Sequence, residues 1–491
     1  MSAPSQRYRS SLALLTDFYE LTMACAAFRS GAARKEAAFT LSFRDNPYAG
    51  GFTVAAGLED AIDLIEHLRF QPDDLEFLRG QRGADGEPIF DEEFLAALAR
   101  LELGVDVDGV PEGTVVFPHE PLLRVVGPVM PAMLLESALL SVVNFQTLVA
   151  TKAARVCLAA QGEPVLEFGL RRAQGLDGAL SASRAAYLGG CTATSNTLAG
   201  KLWGIPVKGT HAHAWVMIHD DERDAFMAYA RALPGNCVFL VDTYGSLDGV
   251  RHAIEAGRWL RQNGKELVGI RLDSGDLAWL SVEARRMLDE AGFDTTAILA
   301  SNELDETIVR SLKDEGARIA VWGVGTRLVT GHGDGALGGV YKLGAVREDP
   351  GAPWVRRVKL SEQAAKVNIP GILQVRRVED GAGRAQADVV YDELLGLPAR
   401  AVMVDPLDPT RRREVPTGAG ADLLVPVFRR GRRVYTPPPL PEVRARAKAQ
   451  LAKFHGGVKR FVNPHRFPVG LERGLHEVRT QLILEARKAP A

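Results

Sequence analysis

The sequence predicts an α/β protein. A parallel sheet, open or closed into a barrel, is covered by helices, and a second, antiparallel domain is built from both ends of the chain. Two observations carry this expectation. Short apolar, β-branched runs recur through the middle third with helical patterns between them, the rhythm of strand–helix units. Pairs of short strands around turn residues sit near both ends, outside that rhythm.

In chain order, strands are expected at 37–43, 115–117 and 122–126, the last two joined across Pro118-His119-Glu120-Pro121. A helix at 131–147 leads into the central region. There, strands 165–168, 205–207, 237–241, 268–270, 297–299 and 319–322 alternate with helices 185–202, 221–232, 249–263, 277–291 and 304–316. Beyond them, 373–378 and 388–391 bracket Glu379-Asp380-Gly381, and 427–429 and 433–435 bracket Gly431. Pro437-Pro438-Pro439 marks a boundary before a basic helical tail, where 441–491 holds 11 Lys+Arg against 4 Asp+Glu.

Composition excludes several classes. With 46% hydrophobic and 24% charged residues, the 491-residue chain is not largely disordered. Lys+Arg total 59 against 61 Asp+Glu, so no global basic field makes nucleic acid the main partner. The longest apolar stretch, 129–145, is interrupted by Pro131, Glu136 and Asn144 and falls short of a bilayer span. Cys25, Cys157, Cys191 and Cys237 show no metal-ligand spacing and read as reduced thiols of a cytoplasmic protein.

The chemistry clusters after the central strands, at the face where parallel α/β folds bind ligands. The strand ends run into Gly169-Leu170-Arg171-Arg172, Gly209-Thr210-His211-Ala212-His213, Asp242-Thr243-Tyr244, Arg271-Leu272-Asp273-Ser274-Gly275-Asp276, Ser301-Asn302 and Gly323-Val324-Gly325-Thr326. This inventory suits phosphate. The last turn could offer N–H groups to a phosphate or be an ordinary strand-to-helix turn. Asp242, Asp273 and Asp276 could hold Mg²⁺ or ribose hydroxyls, or cap helices, and Asp276 ahead of Leu277 fits a cap. In an extended stretch His211 and His213 would point the same way, and at least one is expected to face a ligand.

These motifs, in this order, resemble one family. Leu15-Thr16-Asp17-Phe18-Tyr19-Glu20-Leu21-Thr22-Met23 comes first, then Glu167-Phe168-Gly169-Leu170-Arg171-Arg172-Ala173-Gln174-Gly175 and the turn at His213. Asp242-Thr243-Tyr244, Arg271-Leu272-Asp273-Ser274-Gly275-Asp276-Leu277 and Gly338-Gly339-Val340-Tyr341-Lys342-Leu343 follow. The set resembles the nicotinate phosphoribosyltransferases from about Ser11 to the tail, where Asn463-Pro464-His465 and Pro468-Val469-Gly470-Leu471 also fit.

The resemblance implies a type II phosphoribosyltransferase fold: an irregular α/β barrel beside an α/β sandwich domain made of N- and C-terminal segments, with active sites at a homodimer interface. The expected division is 1–130 sandwich, 131–345 barrel, 346–440 a segment packing with the sandwich, and 441–491 the tail. The implied reaction moves phosphoribose from phosphoribosyl pyrophosphate (PRPP) to nicotinate, giving nicotinate mononucleotide and pyrophosphate for NAD synthesis. Phe168 would stack on the pyridine, with Tyr19 from the partner subunit on its other face. Arg171 and Arg271 would meet carboxylate or phosphates, and Asp242 and Asp273 the ribose and Mg²⁺. Thr210, Ser301, Asn302, Gly323, Gly325 and Thr326 would line the phosphoribosyl group, and Lys359 and Lys366 the pyrophosphate. His213 matches the histidine phosphorylated by ATP, with His211 secondary.

Asn196 stands where related nicotinamide enzymes carry an acid. Two like charges about 4 Å apart cost on the order of 4 kcal/mol at an effective dielectric near 20, so a neutral Asn196 favours nicotinate. The competing readings are a nicotinamide or quinolinate phosphoribosyltransferase, and a phosphosugar barrel lyase or aldolase using Lys208. A nucleic-acid module built on the tail is a further alternative.

Overall fold

The computed structural model describes residues 12–363 and 367–488. The chain divides into two compact units, one of Met1–Leu148 with Ala336–Ala491 and one of Val149–Gly335.

The second unit carries the strand–helix rhythm. Its six parallel strands lie in the order Ala193–Thr194, Val165–Glu167, Val321–Val324, Ala297–Ala300, Gly269–Leu272, Val238–Leu240. A small apolar cluster of Leu166, Ala193, Val238 and Leu299 fills the concave side, with Phe168, Ala297 and Val321 packed against it. Helices Gly175–Gly189, Glu222–Ala232, Ser246–Gln262, Leu277–Glu290 and Glu306–Asp314 belong to the same unit. Asp221, Asp276 and Asp305 each cap a following helix by accepting backbone N–H bonds.

Two sequence expectations change here. The helix expected over 185–202 is instead Gly175–Gly189, then the strand Ala193–Thr194, then the helix Thr197–Trp203. The break falls at Gly189-Gly190: any Cβ at Gly189 would collide with the Ala150 carbonyl, and Gly190 has φ 129°, open to glycine. The strand expected at 205–207 is reduced to one bridge from Val207 to Thr194. Residues 206–208 still extend the sheet edge, because Thr194 N–H donates to Pro206 O (3.0 Å) and Lys208 N–H to Thr194 O (3.0 Å).

The first unit packs a seven-stranded sheet and a six-stranded sheet on one core. Phe39, Leu41, Val107 and Val125 from one sheet meet Leu373, Val375, Val390 and Leu471 from the other, together with Ile62 and Ile65 of the helix Leu58–His67. The pairs Leu373–Glu379 with Ala385–Asp392 and Val425–Arg429 with Arg432–Arg433 are antiparallel neighbours, as the turns predict. The strands near Pro118 are not a hairpin: Val115–Val116 pairs with Thr53–Val54, and Pro121–Pro128 with Glu36–Phe43 and Asp106–Gly109.

The tail is no appendage. After the helix Leu440–Ala452, the strand Val469–Glu472 inserts between Ala385–Asp392 and Arg400–Val404 inside the six-stranded sheet. Domain limits move too, to 148/149 and 335/336. Leu135, Leu139 and Val143 of the lead-in helix belong to the first unit's core, and Gly339–Arg347 pairs with Glu36–Phe43. By length and composition, the helical stretch Val129–Ala159 is able to cross a membrane, longer than the sequence suggested, and just over half of its apolar window is buried in protein.

The first unit also buries Glu120 and Asp388 beside Arg377, all nearly inaccessible. Arg377 pairs with Asp388 (Nε to Oδ1 2.9 Å), while Glu120 Oε2 accepts the Phe117 N–H (3.0 Å). Burial first, and the Asp388 charge second, push the Glu120 carboxyl well above its usual range. A raised acid stabilises the fold while protonated, and that contribution fades as pH climbs from the ordinary carboxylate value through the folded one. Glu120→Gln should therefore be more thermostable than the unaltered protein at pH 8, and the gain should shrink towards pH 5 in melting curves.

Candidate active site

In a strand, alternate side chains share a face. Leu166, Val238 and Leu299 point to the concave side, so the same register carries Phe168, Asp242 and Ser301 to that side at the C-terminal strand ends. The interior positions of the Gly269–Leu272 and Val321–Val324 strands likewise lead to Arg271, Asp273, Gly323 and Gly325. Parallel strands bring all these ends to one mouth.

Arg271 is the hub of that mouth. Its guanidinium donates to Ser301 Oγ (2.8 Å), Thr210 Oγ1 (2.9 Å) and Asp273 Oδ1 (3.1 Å), leaving two of its five N–H groups for a ligand. Ser301 Oγ in turn donates to Asp273 Oδ1 (2.5 Å). Burial alone would raise the Asp273 carboxyl, but the Ser301 hydrogen bond and the Arg271 charge hold it below its usual range. Asp273 is therefore a carboxylate at neutral pH.

Asp242 sits beside it. Its Oδ2 accepts the Asp273 N–H (2.8 Å) and Ser274 Oγ–H (2.7 Å), whereas Oδ1 is buried without a partner. A buried carboxylate oxygen left open in this way suits a cation or a hydroxyl of a bound sugar. Among the described residues, no group of three or more His, Cys, Asp or Glu is arranged to hold a metal unaided.

His211 and His213 do not point the same way. The chain is extended at Ala212, and His213 opens the short helix His213–Met217. His213 is half-exposed, with Nδ1 3.2 Å from Thr243 Oγ1 and Nε2 3.8 Å from Asp273 Oδ2. His211 turns inward against Phe226, Tyr229 and Phe239, and its Nε2 accepts the Leu240 N–H (3.2 Å). Leu240 lies on an edge strand of the parallel sheet, so this bond satisfies a donor that has no neighbouring strand. Backbone atoms at 206–208 and the ring of His211 thus occupy the seam between the two edge strands.

Phe168 donates its N–H to Val324 O (2.8 Å), and its ring lies against Gly323, where an added Cβ would approach Phe168 Cδ2 to 2.8 Å. The Arg271 guanidinium stands 5.9 Å from the ring centre. Arg171 is exposed on the turn Leu170–Arg172. Asn302 has φ 115°, a strained value for a non-glycine residue at a strand-end turn. Thr326 Oγ1 donates to Glu303 Oε1 (3.2 Å), and Arg327 pairs with Asp305 (2.6 Å), tying the last two turns together.

Two candidate residues of the second unit serve as helix caps. Asn196 is buried: Oδ1 caps its helix through the Ala199 N–H (3.2 Å), and Nδ2 donates to Ser183 Oγ (3.2 Å). Asp276 is a helix cap. Tyr19 and Lys359 belong to the first unit and are exposed. Partial burial and the neighbouring Glu136 push the Tyr19 hydroxyl up to about 12. Lys366 lies outside the described residues. Thr243, Ser274 and Glu303 are new to the site; each follows a residue already singled out in its turn.

Burial pushes the His211 imidazole down to about 4, so it is neutral and accepts the Leu240 hydrogen bond. A histidine depressed in the folded state loses its stabilising contribution as pH falls from the unfolded value of 6.5 towards 4. His211→Phe should cost about 1–3 kcal/mol at pH 8, through the orphaned amide, and less at pH 5. Denaturant titrations at the two pH values read this directly.

Comparison with known proteins agrees with this geometry. Residues 14–144 match the model of the nicotinate phosphoribosyltransferase N-terminal domain, and residues 373–479 that of its C-terminal domain. A nicotinate phosphoribosyltransferase of Bacillus subtilis is 41% identical, across 97% of this chain and 96% of its own. The crystal structure of human nicotinic acid phosphoribosyltransferase aligns with a TM-score of 0.82 at 32% identity, covering 95% of this chain and 99% of that one. A nicotinate-nucleotide pyrophosphorylase structure from Pyrococcus furiosus shares the fold, at TM-score 0.66 and 23% identity, over 90% and 95% of the two chains. With its irregular, six-stranded α/β barrel and two-sheet companion unit, the chain carries the type II phosphoribosyltransferase fold and belongs to the nicotinate phosphoribosyltransferase family.

Proposed function

We propose that this protein transfers phosphoribose from PRPP to the ring nitrogen of nicotinate, releasing pyrophosphate and making nicotinate mononucleotide for NAD synthesis. The observation that carries the reading is the Arg271–Asp273–Ser301 cluster beside Asp242 and Phe168 in one barrel mouth, within a chain of this family. In the reaction the nicotinate nitrogen forms a bond to ribose C1, and the C1–oxygen bond to pyrophosphate breaks with its electron pair leaving on oxygen.

Phe168 offers a flat apolar face to the pyridine, an orientation effect that brings nitrogen to carbon. Arg271 and Arg171 meet the phosphates or the carboxylate. The Asp242 and Asp273 carboxylates stand where positive charge grows on the sugar. Mg²⁺ would be held by these two aspartates, the open Oδ1 of Asp242 supporting the fit, and would neutralise the departing pyrophosphate. Ser301, Asn302, Gly323, Gly325, Thr326 and Thr210 surround the phosphoribosyl group. ATP enters as a co-substrate whose γ-phosphoryl group passes to His213, with ADP leaving. The half-exposed ring beside Thr243 and Asp273 supports that role, since added negative charge there would reorganise the aspartate cluster.

A homodimer with Tyr19 of the partner subunit on the far face of the pyridine completes the reading. Supporting it, Leu176, Leu198, Met217, Ile218 and Tyr244 are exposed in segments that follow strand ends, an apolar rim suited to a second copy of the chain. The four cysteines are all free thiols, in keeping with a cytoplasmic enzyme. Asn196, buried and engaged as a cap, lends the nicotinate preference little support; the family relationship lends more.

Incubation with PRPP, Mg²⁺ and either nicotinate or nicotinamide, with and without ATP, should yield pyrophosphate and mononucleotide from nicotinate, faster with ATP. Absence of product from nicotinate defeats the reading. His213→Ala should fold and lose ATP stimulation; stimulation persisting at the original level would remove His213 from the phosphoryl-acceptor role.

A further inference from the structure

Glu167 is a buried carboxylate that the proposed mechanism does not use. It ends the strand Val165–Glu167, so alternation sends its side chain away from the concave side that Phe168 faces. There its Oε2 accepts from Ser183 Oγ (2.8 Å) and Thr194 Oγ1 (2.6 Å), and its Oε1 accepts the Gly169 N–H. The network continues through Asn196, whose N–H donates to Thr194 Oγ1 (2.9 Å) and whose Nδ2 donates to Ser183 Oγ. The backbone carbonyl of Glu167 also accepts the Ser195 N–H (2.9 Å).

All the donors to this carboxylate are neutral: one backbone amide and two hydroxyls. Burying a charge on such partners is costly, and its return here is geometric. One side chain links the helix Gly175–Gly189, through Ser183, and the strand Ala193–Thr194 to the Gly169 amide. The Phe168–Gly169 segment is then pinned at successive amides, Phe168 N–H on Val324 O and Gly169 N–H on Glu167. A side chain at Gly169 would collide with Val329, and one at Gly323 with the Phe168 ring, so the segment has little room to adopt another arrangement.

We propose that Glu167 is a positioning residue for the pyridine site, fixing the plane of the Phe168 ring through the Gly169 amide. The proposal rests on Phe168 being the pyridine platform and is tested so that the two fail separately. Glutamine at 167 can still accept from Gly169 with its oxygen and donate to either hydroxyl with its amide, so it preserves the clamp without the charge; alanine removes the clamp.

The experiment compares the unaltered protein with Glu167→Ala, Glu167→Gln and Thr194→Val, by hydrogen exchange over residues 165–175 and by steady-state kinetics. Glu167→Ala should speed exchange of the Gly169 amide and raise the nicotinate KM about tenfold, leaving the PRPP KM within about twofold. Glu167→Gln should do neither. Should Glu167→Ala fail to fold, Thr194→Val, which removes one of the carboxylate's three ties together with the acceptor for the Asn196 N–H, should give a smaller nicotinate-selective rise. Unchanged Gly169 exchange in the folded alanine variant overturns the proposal, as do equal rises in both KM values. So does a glutamine variant as impaired as alanine. If the unaltered protein turns over no nicotinate, the functional reading falls while the exchange measurement still judges the clamp.

Discussion

Alternation along parallel strands is the constraint on which this molecule depends. A strand that places Leu166, Val238 or Leu299 in the barrel interior must place Phe168 or Ser301 two residues later, or Asp242 four residues later, on the same side. Because all six strands run the same way, these positions meet at one mouth. A substitution that shifted any strand by one residue would turn its apolar member outward and its polar member away from the mouth together. Packing of the barrel interior and assembly of the site are thus one requirement.

The barrel also has a seam, and the seam shapes the site. The edge strands Ala193–Thr194 and Val238–Leu240 end the sheet at either side. The chain from Pro206 to His211 fills the gap, bonding to Thr194 through its backbone and to Leu240 through the His211 ring. Having His211 anchored inward leaves His213, two residues on, at the start of a helix facing Thr243 and Asp273. Thr210, one residue before the anchor, reaches Arg271. A residue that closes the fold therefore holds two neighbours at the mouth.

What could be read in the sequence follows from these facts. Asp242, Arg271 and Ser301 are legible because each directly follows an apolar run, where a polar residue has few places to go, and Asp273 because it alternates with Arg271 across Leu272. The role of His211 was not legible: it depends on an unsatisfied amide at Leu240, distant in sequence, and an extended Gly-Thr-His-Ala-His stretch gives no hint of an inward turn. The helix expected over 185–202 failed because helical periodicity continues past Gly189-Gly190, whereas close approach to Ala150 and the left-handed φ at Gly190 end it. Charge does not reveal the place of the tail. Its arginines and lysines dominate the composition, but the four residues Val469–Glu472 decide its place by entering a sheet.

Glu167 shows why a site can be half visible. Within the apolar run 165–168 it reads as an interruption, and its chemistry points away from the mouth. Its partners, Ser183, Thr194 and the Gly169 amide, are 16, 27 and 2 residues away and share no motif. A mouth built from side chains at strand ends needs something behind the strands to hold those ends still, since the turns beyond them are short and rich in glycine. Apolar packing resists compression well but resists rotation of a single peptide plane poorly. A carboxylate with three directional bonds resists that rotation, so the cost of burying its charge is set against the precision of one aromatic ring.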